Sequence, residues 1–174
     1  FDKAVSTTLR SSFANQGQIC LCSSRILIQD KLYDRFKNAL VEKVKRMRIG
    51  DPADAATKMG AVVSQAHRDK ILSSINNAKE AGGTILCGGD EAEAPNERCR
   101  NGFFVQPTII EGLGPTCEIN QEEVFGPVIT LQSFRTEDEA IQLANDSQYG
   151  LAATIWTQDI AKAHRTAAAI ESGI

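Results

Sequence analysis

From Arg25 to Gly50 the chain reads "RILIQDKLYDRFKNALVEKVKRMRIG", and this stretch sets the expectation for everything around it. "RILIQ" is a short apolar run of strand length. The period then changes: Tyr33, Phe36, Leu40, Val44 and Met47 recur at steps of three and four residues, which gathers them on one face of a helix. Asp30 stands where an N-cap is needed and Gly50 where a helix can stop. A strand running into an amphipathic helix is the opening of an α/β alternation.

The same alternation continues in both directions. Upstream, Ala4, Val5, Thr8, Leu9, Ser12 and Phe13 form a helical stripe over residues 2–14, broken by "NQG" at 15–17. Downstream, "DPADAATKMG" is a loop by its turn residues, and Ser64 caps a helix through Ile71, Leu72, Ile75 and Ala78 to the glycines at 82 and 83. "TILCG" at 84–88 is a short strand, residues 90–101 an exposed polar loop, and "FFVQPTII" at 103–110 extended, with Pro107 implying a sheet edge or a bulge. "VITLQSF" at 128–134 is a strand, and Thr136 with Glu139 makes a capping box for the helix after it. "LAATIW" at 151–156 is a buried-type strand, and Asp159 opens a last helix through Ile160, Ala163, Ala167 and Ile170 to Gly173. The expected fold is one α/β domain over residues 1–174, a mostly parallel sheet with helices on both faces, because parallel strands need long crossovers. The chain starts inside or just before a helix and stops where a further strand is due, so it reads as part of a longer protein.

With 174 residues the chain can bury a sizeable core, and 42% apolar against 24% charged residues describes a globular protein. The apolar runs are too short to span a bilayer and Phe1 to Arg10 has no secretory pattern, so a cytoplasmic protein without membrane partners is expected. A net charge of −3 without a basic stripe argues against nucleic acid as a partner. The five cysteines repeat no spacing, so reduced thiols are expected rather than a disulfide scaffold.

Two stretches carry residues suited to chemistry. Cys20 follows a helix and a glycine turn and precedes a strand, a place where a thiol can be displayed near backbone N–H groups. The residue types alone leave open whether it is a nucleophile, a packing thiol or, with Cys22, half of a metal or redox pair; zinc would require two more ligands at recognisable spacing. His67 and His164 belong to no two-ligand motif, and both read as residues on solvated helix faces. No metal is expected. In "EEVFGPV" at 122–128 a carboxylate adjoins an apolar ring, a pairing that suits a nucleotide sugar and its heterocycle, although by residue type alone a solvated acidic pair beside a core phenylalanine is the reading to prefer.

Taken together, "FANQGQICLCSSR", "QPTII", "EEVFGPV" and "ANDSQYGLAATIWT" resemble, in order and spacing, the catalytic domain of the NAD(P)-dependent aldehyde dehydrogenase superfamily. The resemblance implies that Cys20 is the nucleophile, with Gln18 setting the register, and that Cys22 has no catalytic role. It implies that Glu123 holds the ribose beside the nicotinamide of NAD, or NADP, and that Phe125 packs against it. It implies a thiohemiacetal and then a thioester on Cys20, with a small-molecule aldehyde as substrate and a homo-oligomeric parent. It also implies that the general base, the oxyanion-binding asparagine, the dinucleotide-binding domain and the oligomerisation segment lie outside residues 1–174, so that the chain alone is either the nucleophile-bearing part of an enzyme or a fold unit without turnover. "EEVFGP" resembles the hydrolytic branch, and "GQICLC" resembles members acting on 2-aminomuconic and hydroxymuconic semialdehydes.

Overall fold

The apolar stripe of the first residues forms α1 (Asp2–Phe13), whose Val5, Thr8, Ser12 and Phe13 are buried. A computed structural model describes residues 1–174. After a tight turn come β1 (Arg25–Gln29) and α2 (Asp30–Lys45), then α3 (Gln65–Glu80), β2 (Thr84–Cys87), β3 (Thr108–Glu111), the short α4 (Glu118–Gln121), β4 (Val128–Phe134), α5 (Glu137–Asn145) and α6 (Ile160–Ala169). The sheet order is β1-β4-β3-β2. β4 runs parallel to both β1 and β3, and β2 alone is antiparallel.

Side chains alternate across a pleated strand, and that period assigns each helix to a face. Ile109, Ile129 and Leu131 join Val5, Phe13, Leu40 and Val44 on the side of α1 and α2. Ile110 and Val128, one residue out of step, pack with Ile71, Ile75 and Ala78 of α3. The expected architecture, a mostly parallel sheet covered on both faces, is the one observed. No helix is long and apolar enough to cross a membrane.

Local start signals hold where side chains can reach backbone. Ser64 accepts from the His67 N–H at 3.2 Å, and Asp159 from the Lys162 N–H at 3.0 Å. Thr136 accepts from the Glu139 N–H at 3.2 Å while Glu139 reaches back to the Arg135 N–H at 2.8 Å, one residue earlier than a capping box requires. Gly82 ends α3 with φ +96°, in the left-handed region that glycine enters without a steric penalty.

Other expectations are corrected. Asp30 is the first helical residue rather than the cap, which is Gln29, and its carboxylate pairs with Arg135 instead. α2 stops at Lys45 rather than Gly50, because Ile49 bridges Met59 and the Gly50 N–H donates to Met59 O; those tertiary bonds replace the last helical turn. β3 lies inside the sheet, with Pro107 just ahead of it, and the irregularity falls on the neighbouring strand between Ile85 and Cys87. "LAATIW" is not a strand and is mostly exposed. A strand exists only by pairing, and this stretch finds only the tail: Ala153 N–H bonds Ile174 O, and Ile174 N–H bonds Leu151 O. α6 ends at Ala169, and its Ile160 is exposed rather than packed.

Arg25, the first residue of β1, ties the sheet to α5. Its guanidinium donates to Leu143 O at 2.8 Å and Ala144 O at 2.9 Å, carbonyls that the end of a helix leaves unpaired. Burial pulls its pKa down, against the opposing attraction of Asp146. Arg25→Met strands both carbonyls and should destabilise by about 2 kcal/mol. Thermal unfolding checks this, and Arg25→Lys should recover only part, since an ammonium cannot fork to two acceptors.

Candidate active site

The turn between α1 and β1 is built from three successive left-handed residues: Asn15 (φ 47°), Gln16 (φ 61°) and Gly17 (φ 71°). For a residue with a Cβ this region costs roughly 1–2 kcal/mol, so something must hold it. Asn15 is held locally, its Nδ2 donating to Gln18 O at 3.2 Å. Gln16 is held from across the molecule. Its amide donates to Ala61 O at 3.1 Å and accepts from the Gly60 N–H at 3.1 Å, pairing like a short piece of strand. Gln18 Oε1 accepts from the Val63 N–H at 3.2 Å.

The chain then bends again, Cys22 N–H to Ile19 O at 2.8 Å, with Cys20 at the second position of the turn. This divides the two thiols. Cys20 is exposed, between the exposed Ile19 and Leu21. Cys22 is half-buried, its Sγ donating to Ala14 O at 3.6 Å, and burial pushes its pKa up, so it stays a neutral thiol.

The acidic stretch forms a second turn, leading from α4 into β4. Phe125 is left-handed at φ 57°. The following Gly126 sits so close to α3 that a Cβ there would lie 2.5 Å from Ile71 Cδ1. The two turns meet back to back, since a Cβ on Gly17 would lie 2.1 Å from Gly126 O. Glycine is therefore required at position 17 by the contact that joins the Cys20 turn to the Glu123–Phe125 loop, whereas at Gly126 it is the Ile71 side chain of α3 that crowds a Cβ. Glu123 is exposed and Phe125 half-buried. The Glu123 N–H donates to the Tyr149 hydroxyl at 3.3 Å and Lys70 Nζ donates to Glu123 O at 3.4 Å.

The structure thus sets the turn that carries Cys20 against the loop that carries Glu123 and Phe125, through Gly17 and Gly126. It adds partners that were missed: Gln16, Lys70, Tyr149 and His67, whose Nε2 lies 2.7 Å from Phe125 O. His67 is therefore not on a solvated face, whereas His164 is exposed as expected. No local signal marks these partners, because each acts over 26 to 58 residues of separation. All five cysteines are free, and no three His, Cys, Asp or Glu side chains gather as metal ligands. A concavity of about 420 Å³ lies along α5 and is lined by neither Cys20 nor Glu123.

The aldehyde dehydrogenase family model matches residues 1–174, the whole chain. The chain belongs to that family. Among its relatives within the aldehyde dehydrogenases, the 2-aminomuconic 6-semialdehyde dehydrogenase of a Pseudomonas species is 41% identical over 174 residues, 100% of this chain and 35% of the relative. Betaine aldehyde dehydrogenase 1 of Oryza sativa subsp. japonica is 43% identical over 173 residues, 99% of this chain and 34% of the relative. The crystal structure of a betaine aldehyde dehydrogenase from Staphylococcus aureus in complex with NAD+ superposes with a TM-score of 0.95 at 44% identity, over 99% of this chain and 34% of that one. The chain spans about a third of the length of these aldehyde dehydrogenases.

Proposed function

We propose that residues 1–174 are the nucleophile-bearing domain of an NAD-dependent aldehyde dehydrogenase in which Cys20 is the nucleophile. The observation that carries this reading is the glycine-to-glycine contact, which joins an exposed thiol on a backbone turn to a loop with an exposed carboxylate and an aromatic ring. That loop fits a dinucleotide. The Glu123 carboxylate is free to accept from two ribose hydroxyls, and the ring of Phe125 supplies an apolar face. Bound there, nicotinamide supplies the hydride acceptor.

Cys20 acts as thiolate, adding its sulfur to the aldehyde carbon while the carbonyl π pair moves to oxygen. The N–H of Cys20 donates to that oxyanion, together with a side-chain amide from the remainder of the parent. Loss of hydride from the adduct leaves a thioester on Cys20. Water, deprotonated by a base also supplied by the rest of the parent, releases the acid and frees the sulfur. The lengths of the relatives support this division of labour, and the free thiols support a reducing, cytoplasmic setting. For substrate we propose an acidic semialdehyde, supported by "GQICLC" and by the name of the Pseudomonas relative.

NADH absorbance from the full-length protein with an aldehyde panel tests the reaction. A kcat/KM at least about tenfold higher for 2-hydroxymuconic semialdehyde than for betaine aldehyde is expected, roughly the value of one charge-assisted contact. The reverse order would reassign the substrate to the cationic class. Glu123→Gln should raise the KM for NAD about tenfold with little change in Cys20 alkylation, since a neutral amide accepts less strongly from two hydroxyls. Unchanged NAD dependence would remove the ribose role.

A further inference from the structure

We propose that His67 is a positioning residue that holds the 122–127 loop in its NAD-gripping shape through the carbonyl of Phe125, an inference that rests on the NAD role proposed above for that loop. Phe125 occupies the left-handed region at φ 57° without glycine's freedom, so its conformation must be imposed by neighbours. The imposing contacts come from α3. A carbonyl oxygen can only accept, so the 2.7 Å contact between His67 Nε2 and Phe125 O makes Nε2 the protonated nitrogen. The two rings also meet edge to face, with centroids 6.4 Å apart and planes 65° apart. His67 is itself anchored, because its backbone N–H is the one capped by Ser64.

One helical turn further along, Lys70 Nζ reaches Glu123 O and Ile71 lies against Gly126. Three residues of one helix face therefore grip three points of the loop. Of the two hydrogen bonds the one at His67 is the shorter, and it falls at the residue whose conformation is unfavourable. Turning the Phe125 peptide aims both the ring of Phe125 and, two residues earlier, the carboxylate of Glu123. His67 touches no reacting atom; its effect passes through the loop.

The test uses the full-length protein with three variants. His67→Phe keeps a ring and removes the donor, His67→Gln keeps a donor of similar reach, and His67→Asn keeps a donor too short to reach. Without NAD, His67→Phe should speed amide hydrogen exchange over residues 123–128 by at least about fivefold. By fluorescence titration it should weaken NAD binding about tenfold, with KM for NAD rising more than kcat falls. His67→Gln should return both readouts most of the way, a rescue that bulk packing would not give.

Exchange and NAD affinity at wild-type levels in His67→Phe would overturn the inference. If His67→Phe does not fold, His67→Gln and His67→Asn decide: equal behaviour overturns it, and loosening by Asn alone supports it. Glu123→Gln separates the two levels. A loss of NAD affinity in Glu123→Gln but not in the His67 variants sinks the positioning role alone. No loss in either removes the NAD reading of the loop and this inference with it.

Discussion

Cys20→Ser in the full-length enzyme is expected to lower aldehyde oxidation by about four orders of magnitude or more while leaving NAD binding in place. A serine hydroxyl lacks the thiolate form accessible near neutral pH, and loss of a nucleophile that works with its neighbours as a unit removes nearly all turnover. NAD binding is expected to survive because Glu123 and Phe125, the residues proposed to grip NAD, stand on the other turn, and the exchange of sulfur for oxygen changes neither glycine of the contact between them. Cys22→Ser is the informative contrast. That thiol is half-buried, bonded to Ala14 O and kept neutral by burial, so its loss should change turnover by no more than about threefold. Iodoacetamide labelling with peptide mapping completes the measurement. Turnover that survived Cys20→Ser, or label found on Cys22 rather than Cys20, would refute the assignment.

Gly17→Ala is expected to destabilise the fold by about 3 kcal/mol or more, combining the left-handed penalty with overpacking. The new Cβ would fall 2.1 Å from Gly126 O, and Gly126 cannot retreat because Ile71 stands behind it. For a domain of this size the melting midpoint should fall by roughly 6–12 °C, read by scanning calorimetry. The surviving folded fraction should also show weakened NAD binding and altered Cys20 alkylation, because the Cβ separates the two turns. Gly114→Ala supplies the control. Gly114 has nothing within 4 Å of its Cβ position and no positive φ, so that variant should stay within about 0.5 kcal/mol. Equal effects of the two alanines would show that the contact does not organise the site.

Periodicity was a reliable guide wherever an element's own residues supply both its bonds and its buried face. α1 and α3 follow their apolar stripes closely, and the caps at Ser64 and Asp159 form as drawn because the donor is within reach of the side chain. It misled where bonding partners are remote. α2 loses its last turn to the Ile49–Met59 bridge, and "LAATIW", apolar as any buried strand, bonds to the tail at Ile174 and not to either edge of the sheet. Pro107 implies a sheet edge or a bulge, yet it sits just ahead of an interior strand whose first N–H bonds Pro127 O, and the irregularity falls on the neighbouring strand.

The same division runs through the site. That Cys20 and Glu123 are candidates is legible along the chain, because a thiol in a glycine turn and a carboxylate beside an aromatic ring are local facts; residue type alone left other readings open, and the roles proposed for them came from the motifs' resemblance to a family. Which of two neighbouring thiols faces solvent is not legible, since Cys20 and Cys22 differ only in the turn that presents one and buries the other. Nor is the meeting of Gly17 with Gly126, or of His67 with Phe125. Backbone conformation and burial propensity are encoded within a few residues, so reading along the chain recovers them; contacts between segments fifty or a hundred residues apart depend on how helices and sheet pack, and that packing alone sets the turn of Cys20 against the loop of Glu123 and Phe125 and brings His67 to the Phe125 carbonyl.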